Sequence, residues 1–454
     1  MGFDELLAQA ASELVQPAGA SLRFSTLEAI GQNRRDFVVE CHKTWKKWHR
    51  KAIEEILVWE AFANREKIHP IGNMAVEYAA YNRAVWRRVN DTVIWSLVGQ
   101  QRHVVKRLCL HRRRNALTES NPASVLQTLA NINADPMSIA IWNDATSCVD
   151  IGDLTFIPDG MNPRPSFLEL KEGKVNEDIV ALLRIDIAEF GAKFSEFERK
   201  YGKKGVAQFN RVRRQEVVAD QALTLLNEGK GVDPVTGHQM TVAEVNVPLH
   251  SYNDELNSVL DNTLKRRTAV TEVIDGCLWI YANADKTISA HQARHDFVKL
   301  LHERLPSASL LLRRKRPRWD ADRVVCLSDS FFSPVALPIF LRGIDPSIIG
   351  AVGYGDLMFR VFLYVDWDAF SAIVAKEGGT FSWSSEKDAR RARSRNPTLR
   401  PTVIGGRLAN IEMGGVQLAI TDPMRVQLLF DGLRPRVIAK QAIELASRYG
   451  TSHE

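Results

Sequence analysis

Two acidic residues, Asp150 and Asp153, sit in an otherwise apolar run, Cys148-Val149-Asp150-Ile151-Gly152-Asp153-Leu154. A short segment follows, Ser166-Phe167-Leu168-Glu169-Leu170-Lys171, in which a carboxylate and an ammonium stand two residues apart. In an extended strand successive side chains alternate faces, so Phe167, Glu169 and Lys171 point one way and Ser166, Leu168 and Leu170 the other. Carboxylates are costly to desolvate unless they are paired or bind a metal. Acids in one apolar strand beside another carrying Glu and Lys therefore offer an ion pair, or a hard-oxygen cation site with an ammonium next to it. Odd spacing places Asp150 and Asp153 on opposite faces of a regular strand. Gly152 permits a bulge that would turn Asp153 into a cleft, which favours Asp153 and leaves Asp150 as the alternative ligand.

Asp153, fifteen intervening residues and then Glu169-Leu170-Lys171 resemble the signature of the PD-(D/E)xK nuclease superfamily in order and spacing. The residue before the aspartate is Gly152 where the signature has Pro. The resemblance covers residues 75–229, about a third of the chain. It implies a restriction-endonuclease-like core, a mixed sheet flanked by helices. It also implies Mg2+, with Mn2+ able to substitute, held by Asp153, Glu169 and the Leu170 backbone carbonyl. Lys171 would orient the attacking hydroxide or touch the scissile phosphate, and the reaction would be metal-assisted phosphodiester hydrolysis. DNA is the expected polymer, ahead of RNA, in restriction, repair or defence against foreign DNA. Some members add an acid from the helix before the first strand, here Asp91 or Glu77, and a polar residue on the helix after the lysine strand, here Gln215. Arg211, Arg213 and Arg214 around that helix start, with Lys174, would contact phosphates. Arg313, Arg314 and Arg316 would do the same, as would the run from Arg390 to Arg395, although charge runs equally form solvated faces.

These residues need elements to hold them. Trp45, Trp48, Ala52, Ile56 and Trp59 recur at three- and four-residue steps and predict a helix over 33–63 with a basic opposite face of Lys43, Lys46, Lys47, Arg50 and Lys51; a tryptophan stripe at this spacing is usually core, and the alternative is a nucleic-acid contact. A break at His69-Pro70-Ile71-Gly72 precedes a second helix over 75–113 that closes on His111-Arg112-Arg113-Arg114. Another helix is expected from Pro122 to Ile132 with Asn121 as its cap. From Ser138 the pattern turns to β-branched and apolar runs, SIAIW, TSCVDIGDLTFI and SFLELK, a meander of strands. Helices over 176–201 and 209–227 and a loop at NEGKGVDPVTGHQ complete the unit. Beyond it, CLWIYAN, RVVCLSD, MFRVFLYVD and GGVQLAI alternate with helices such as 291–304 and 437–448. The expected organisation is a helical region 1–74, an α/β nuclease-like domain 75–235 and a mixed α/β domain 241–454.

At 454 residues the chain exceeds the size of one core, and 45% hydrophobic with 25% charged residues is ordinary globular composition. No apolar run reaches the ~18 residues needed to span a bilayer. The acidic start MGFDELLAQAASELV lacks the order of a secretory signal, so a cytoplasmic protein without membrane contact is expected. Five widely spaced cysteines argue against structural zinc. The formal charge of +6 and pI near 9.0 favour polyanionic partners. The second half could sense a trigger, meet a defence partner or build a homo-oligomer. Phosphate-loop, dinucleotide, zinc-protease and serine-hydrolase motifs are absent from the sequence. Two readings of other classes remain: a nucleic-acid-binding protein that keeps the fold without catalysis, and an interaction protein in which Glu169 and Lys171 are a surface pair.

Overall fold

The computed structural model describes residues 2–21, 27–66, 72–110, 116–119, 122–157, 166–168, 170, 174–183, 185, 187–234, 237–241, 247–305, 324–353, 359–395, 403–404 and 407–451. The protein is mixed α+β and divides into two compact units, Ser21–Val242 and Met1–Ala20 with Ala243–Glu454. The expected helical region 1–74 is thus shared between them. Its first helix, α1 (Phe3–Ser21), belongs to the second of these units and buries Leu7, Ala10, Ala11 and Leu14 on one face. That face packs closely enough that a Cβ on Gly350 would come within 2.5 Å of the Asp4 carbonyl oxygen.

In the Ser21–Val242 unit, α2 (Leu27–Glu66) and α3 (Gly72–Leu97) form the main helical pair. Trp45, Trp48, Ala52, Ile53 and Ile56 of α2 and Val85, Trp86, Val89, Val93 and Ile94 of α3 are buried, so the tryptophan stripe is core and Lys43, Lys47 and Arg50 face outward. The second helix ends earlier than its spacing suggested. Gly99 and Gln100 take φ of 61° and 58°, and the Gln100 amide bonds the Trp95 carbonyl at 2.7 Å, a left-handed helix stop. A short α4 (Arg102–Leu108) follows, then α5 (Pro122–Ile132) as expected. Residues 67–71 of the anticipated break, the cap at Asn121 and the run His111-Arg112-Arg113-Arg114 lie outside the described residues.

The strand meander is present and shorter than the apolar runs. It comprises β1 (Ile139–Trp142), β2 (Leu154–Ile157) and β3 (Ser166–Leu168), in the order β1-β2-β3. Trp142 pairs Leu154, and Leu154 pairs Leu168. Every strand pairing among the described residues is antiparallel. The stretch 146–153, expected as strand, is a chain of bends.

His49 ties this sheet to the helices. Its Nε2 accepts the Trp142 amide at 3.1 Å, which requires the proton on Nδ1, and Nδ1 reaches Asn90 Oδ1 at 2.9 Å. Asn90 Nδ2 in turn donates to the Ala145 carbonyl at 2.7 Å. Burial of the ring drives the His49 pKa down to about 4.

Next come α6 (Lys174–Leu183) and α7 (Ile187–Glu228). The latter is a hairpin, because Gly202 is non-helical at φ 61° and ψ −161° and the Phe194 and Phe209 rings lie 5.0 Å apart. In a straight helix fifteen residues would separate them by about 22 Å along the axis. Two arms, 187–201 and 203–228, therefore lie side by side, with Phe197, Phe209 and Val212 buried against Ile179 and Leu182 of α6. This matches a break between two helices near residue 202, and the second arm starts earlier than the expected residue 209. The expected loop at 227–239 contains a small hairpin, β4 (Lys230–Val232) with β5 (Gln239–Thr241).

Among the described residues the other unit carries two antiparallel sheets. The first joins β6 (Val270–Ile274), β7 (Leu278–Asn283), β9 (Arg360–Val365) and β8 (Val325–Cys326) in that order. The second is centred on β12 (Arg407–Met413), which pairs β10 (Thr380–Trp383), β11 (Val403–Ile404) and β13 (Val416–Ala419). All six residues of β9 are buried, including Arg360, whose guanidinium donates to the Asp285 carbonyl at 3.1 Å. The helices are α8 (Asn253–Arg266), α9 (Ala290–Arg304), α10 (Pro346–Gly353), α11 (Trp367–Lys376), α12 (Glu386–Arg395), α13 (Asp422–Leu429) and α14 (Pro435–Thr451). Arg390 and Arg391 of the run considered for phosphate contact are exposed on α12. No helix among the described residues is long and apolar enough to cross a membrane.

Candidate active site

Asp153 is positioned by the bend that precedes β2. Asn143, at the end of β1 and 1% exposed, donates from Nδ2 to the carbonyls of Ile151 and Gly152 at 2.7 and 3.2 Å. Its amide bonds the Asp153 carbonyl at 2.9 Å, and its Oδ1 accepts the Thr155 hydroxyl at 2.7 Å. The bend also needs glycine. Gly152 has φ of +66°, and a Cβ there would sit 3.2 Å from the Leu168 carbonyl oxygen.

The consequence is a shift from the regular ladder. The Asp153 amide donates to the Leu168 carbonyl at 2.9 Å, and the Asp153 carboxylate accepts the Leu170 amide at Oδ2, 2.5 Å away. The half-buried carboxylate thus lies against the central residue of Glu169-Leu170-Lys171. A regular strand with Asp150 and Asp153 on opposite faces does not occur here. Asp150 sits in the bends, its amide bonded to the Leu108 carbonyl at the end of α4 at 2.8 Å, and of the two aspartates it is Asp153 that meets Leu170. Glu169 and Lys171 lie outside the described residues, as do Arg313, Arg314 and Arg316.

Helical acids are ordinarily solvated, and Asp91 on α3, considered as an added acid of the site, is not. It is fully buried, 2.7 Å from Arg88 Nη1, and Arg88 is 1% exposed. Asp91 Oδ1 accepts the Ser147 amide at 2.7 Å and the Cys148 amide at 3.3 Å, and Oδ2 accepts the Ser147 hydroxyl. Its carboxylate is accordingly the anchor of the 147–148 bend and the counter-ion of a buried guanidinium. Glu77, the other acid considered, is exposed. Gln215 is half-buried in the fourth turn of the arm 203–228, not at a helix start; Arg211, Arg213 and Arg214 are exposed on the same arm, and Lys174 is exposed at the first position of α6.

Sequence reasoning missed Asn143 and Arg88. The first was legible as an amide residue placed directly after a strand, a usual place for a side chain that satisfies backbone groups. The second carried no signal, because an arginine on a helix is ordinarily solvent-facing. Among the described residues no group of three or more His, Cys, Asp or Glu could hold a metal ion. The chemistry of the expected donor set, two carboxylates and a peptide carbonyl, suits a hard divalent cation. Compared with family models, curated proteins and solved structures, the chain matches none.

Proposed function

We propose that this protein is a metal-dependent endonuclease that hydrolyses phosphodiester bonds of DNA, with a restriction-endonuclease-like core around Asp153, Glu169 and Lys171. The observation that carries the reading is the contact between the Asp153 carboxylate and the Leu170 amide, across seventeen residues of sequence. Leu170 is the central residue of the segment that would supply the other two groups of the motif. The motif spacing and the net charge of +6 add to it.

Asp153, Glu169 and the Leu170 carbonyl would hold Mg2+, with Mn2+ as a substitute. Bound there, the ion would polarise a phosphoryl oxygen and make its water a better nucleophile. Lys171 would orient that water or neutralise charge on the scissile phosphate. Asn143 and Gly152 shape the bend that presents the aspartate. A role in defence against foreign DNA follows from the resemblance, with the unit containing residues 243–454 sensing a trigger, meeting a partner protein or joining copies of the chain.

The test is cleavage of plasmid, linear and single-stranded DNA and of RNA with Mg2+ or Mn2+, comparing the wild type with Asp153→Asn, Glu169→Ala and Lys171→Ala. Metal-dependent cutting that disappears in all three variants, with folding intact, is the expected result. Cutting that survives in the variants overturns the site. No cutting of any substrate, with binding equal in all forms, favours a non-catalytic nucleic-acid-binding protein.

A further inference from the structure

The second arm of the α7 hairpin carries a cationic face that joins Arg211 and Arg214, already expected to meet phosphates, to Lys203 and Lys204. From Arg199 to Arg214 the sequence holds seven basic residues and no acidic one. Lys200 is committed, since Asp178 accepts from it at 2.7 Å and from the Tyr201 hydroxyl at 2.8 Å, which locks the hairpin tip to α6. Lys203, Lys204, Arg211 and Arg214 are exposed, and none of them forms an ion pair with another described residue.

Their placement on the helix is regular. At 3.6 residues per turn, with Lys203 as origin, Arg214, Arg211 and Lys204 fall within about 100° of rotation. Gly205, Phe209 and Val212, all buried, fall on the opposite side. The four cations form two pairs, Lys203 with Lys204 and Arg211 with Arg214. The pair centres are nine residues apart, about 13 Å along the axis at 1.5 Å per residue. The middle of the stripe is Ala207, small and exposed.

We propose that this face docks on double-stranded DNA with the arm lying across the major groove, each pair of cations meeting the phosphates of one strand. The spacing is close to the major-groove width of about 12 Å, and the small residue between the pairs lets the helix approach the groove. Phosphate contacts of this kind fix register without reading sequence. A single strand offers no second row of phosphates at this separation, and the major groove of A-form RNA is too narrow to present one. The inference rests on the nucleic-acid part of the reading above and not on cleavage.

The experiment measures binding of the full chain to duplex DNA, single-stranded DNA and duplex RNA by fluorescence anisotropy over a series of salt concentrations in EDTA, where no metal-dependent cutting can occur. For duplex DNA each phosphate contact adds about 0.9 to the slope of log affinity against log salt. The Lys203→Gln, Lys204→Gln, Arg211→Gln, Arg214→Gln variant should lower that slope by about 3.6, with far smaller changes on single strands and duplex RNA. The charge-keeping variant Lys203→Arg, Lys204→Arg, Arg211→Lys, Arg214→Lys should keep the wild-type slope. Neutralising Lys286, Lys299, Arg304 and Lys376, exposed cations of the other unit, should leave it unchanged. An unchanged slope in the first variant overturns the proposal, as does an equal loss on single strands or in the control. Because the assay is blind to cleavage, an inactive wild type with the expected slope loss would remove the nuclease reading and leave this surface standing. An active enzyme with an unchanged slope would do the reverse.

Discussion

Acid should destabilise the Ser21–Val242 unit in part through His49, alongside the buried His42 and the half-buried His103, and the size of the His49 share follows from its contacts. The Trp142 amide occupies Nε2 as a donor, so a proton cannot be added there without breaking that bond. The ring is 3% exposed, and burial pushes its pKa from 6.5 down to about 4. The unfolded chain therefore takes up the proton first as pH falls, and the stability is fully present above pH 6.5 and is lost as pH falls towards 4. A shift of this size corresponds to about 3 kcal/mol, roughly 2 of it gone by pH 5. Urea unfolding between pH 8 and pH 4, followed by tryptophan fluorescence, measures it, because Trp45, Trp48, Trp86, Trp95 and Trp142 are all buried in this unit. His49→Gln, which does not titrate, should be less stable at pH 8 and should lack this part of the pH dependence. Identical pH dependence in the wild type and His49→Gln would refute the reasoning.

Other outcomes are expected from the same geometry. Gly152→Ala should cost about 1–2 kcal/mol for the left-handed backbone and should lower DNA cleavage more than stability, since it moves Asp153 off Leu170; kinetics beside urea unfolding check both. Asp91→Ala should destabilise by about 3–5 kcal/mol, because it leaves the Arg88 guanidinium buried without its counter-ion. If that variant keeps its unfolding midpoint and loses only cleavage, Asp91 is a catalytic group and the structural assignment falls. Gly202→Ala should cost about 1–3 kcal/mol at a backbone conformation that only glycine adopts readily, read as a lower urea midpoint. Removing divalent ions with EDTA should abolish cutting while duplex binding survives, which a gel-shift beside the cleavage assay would show.

The sequence by itself determined the elements whose signals are short-range. The tryptophan stripe of α2, the limits of α5, the three strands around Asp153 and the interruption near Gly202 all come from spacing or turn residues within a few positions. Fold class at the coarse level, α+β, follows from the same patterns. The spacing of Asp153 and Glu169-Leu170-Lys171 was equally visible, and the glycine beside the aspartate pointed to the bend that the structure contains.

What only the tertiary structure decided are partnerships across long stretches of chain. α1 joins residues 243–454, not its neighbour α2, because its apolar face is completed by elements such as α10 that lie more than three hundred residues away. Asp91 became a buried anchor because Arg88 on its own helix and the 147–148 amides converge on it, and no local pattern distinguishes that from a solvated acid. The run at 146–153 reads as strand by composition, yet Asn143 and Asp91 capture its backbone groups and bend it. Periodicity records which face of an element is apolar. Which partner covers that face, and which donor satisfies each buried polar group, depends on closure of the whole chain.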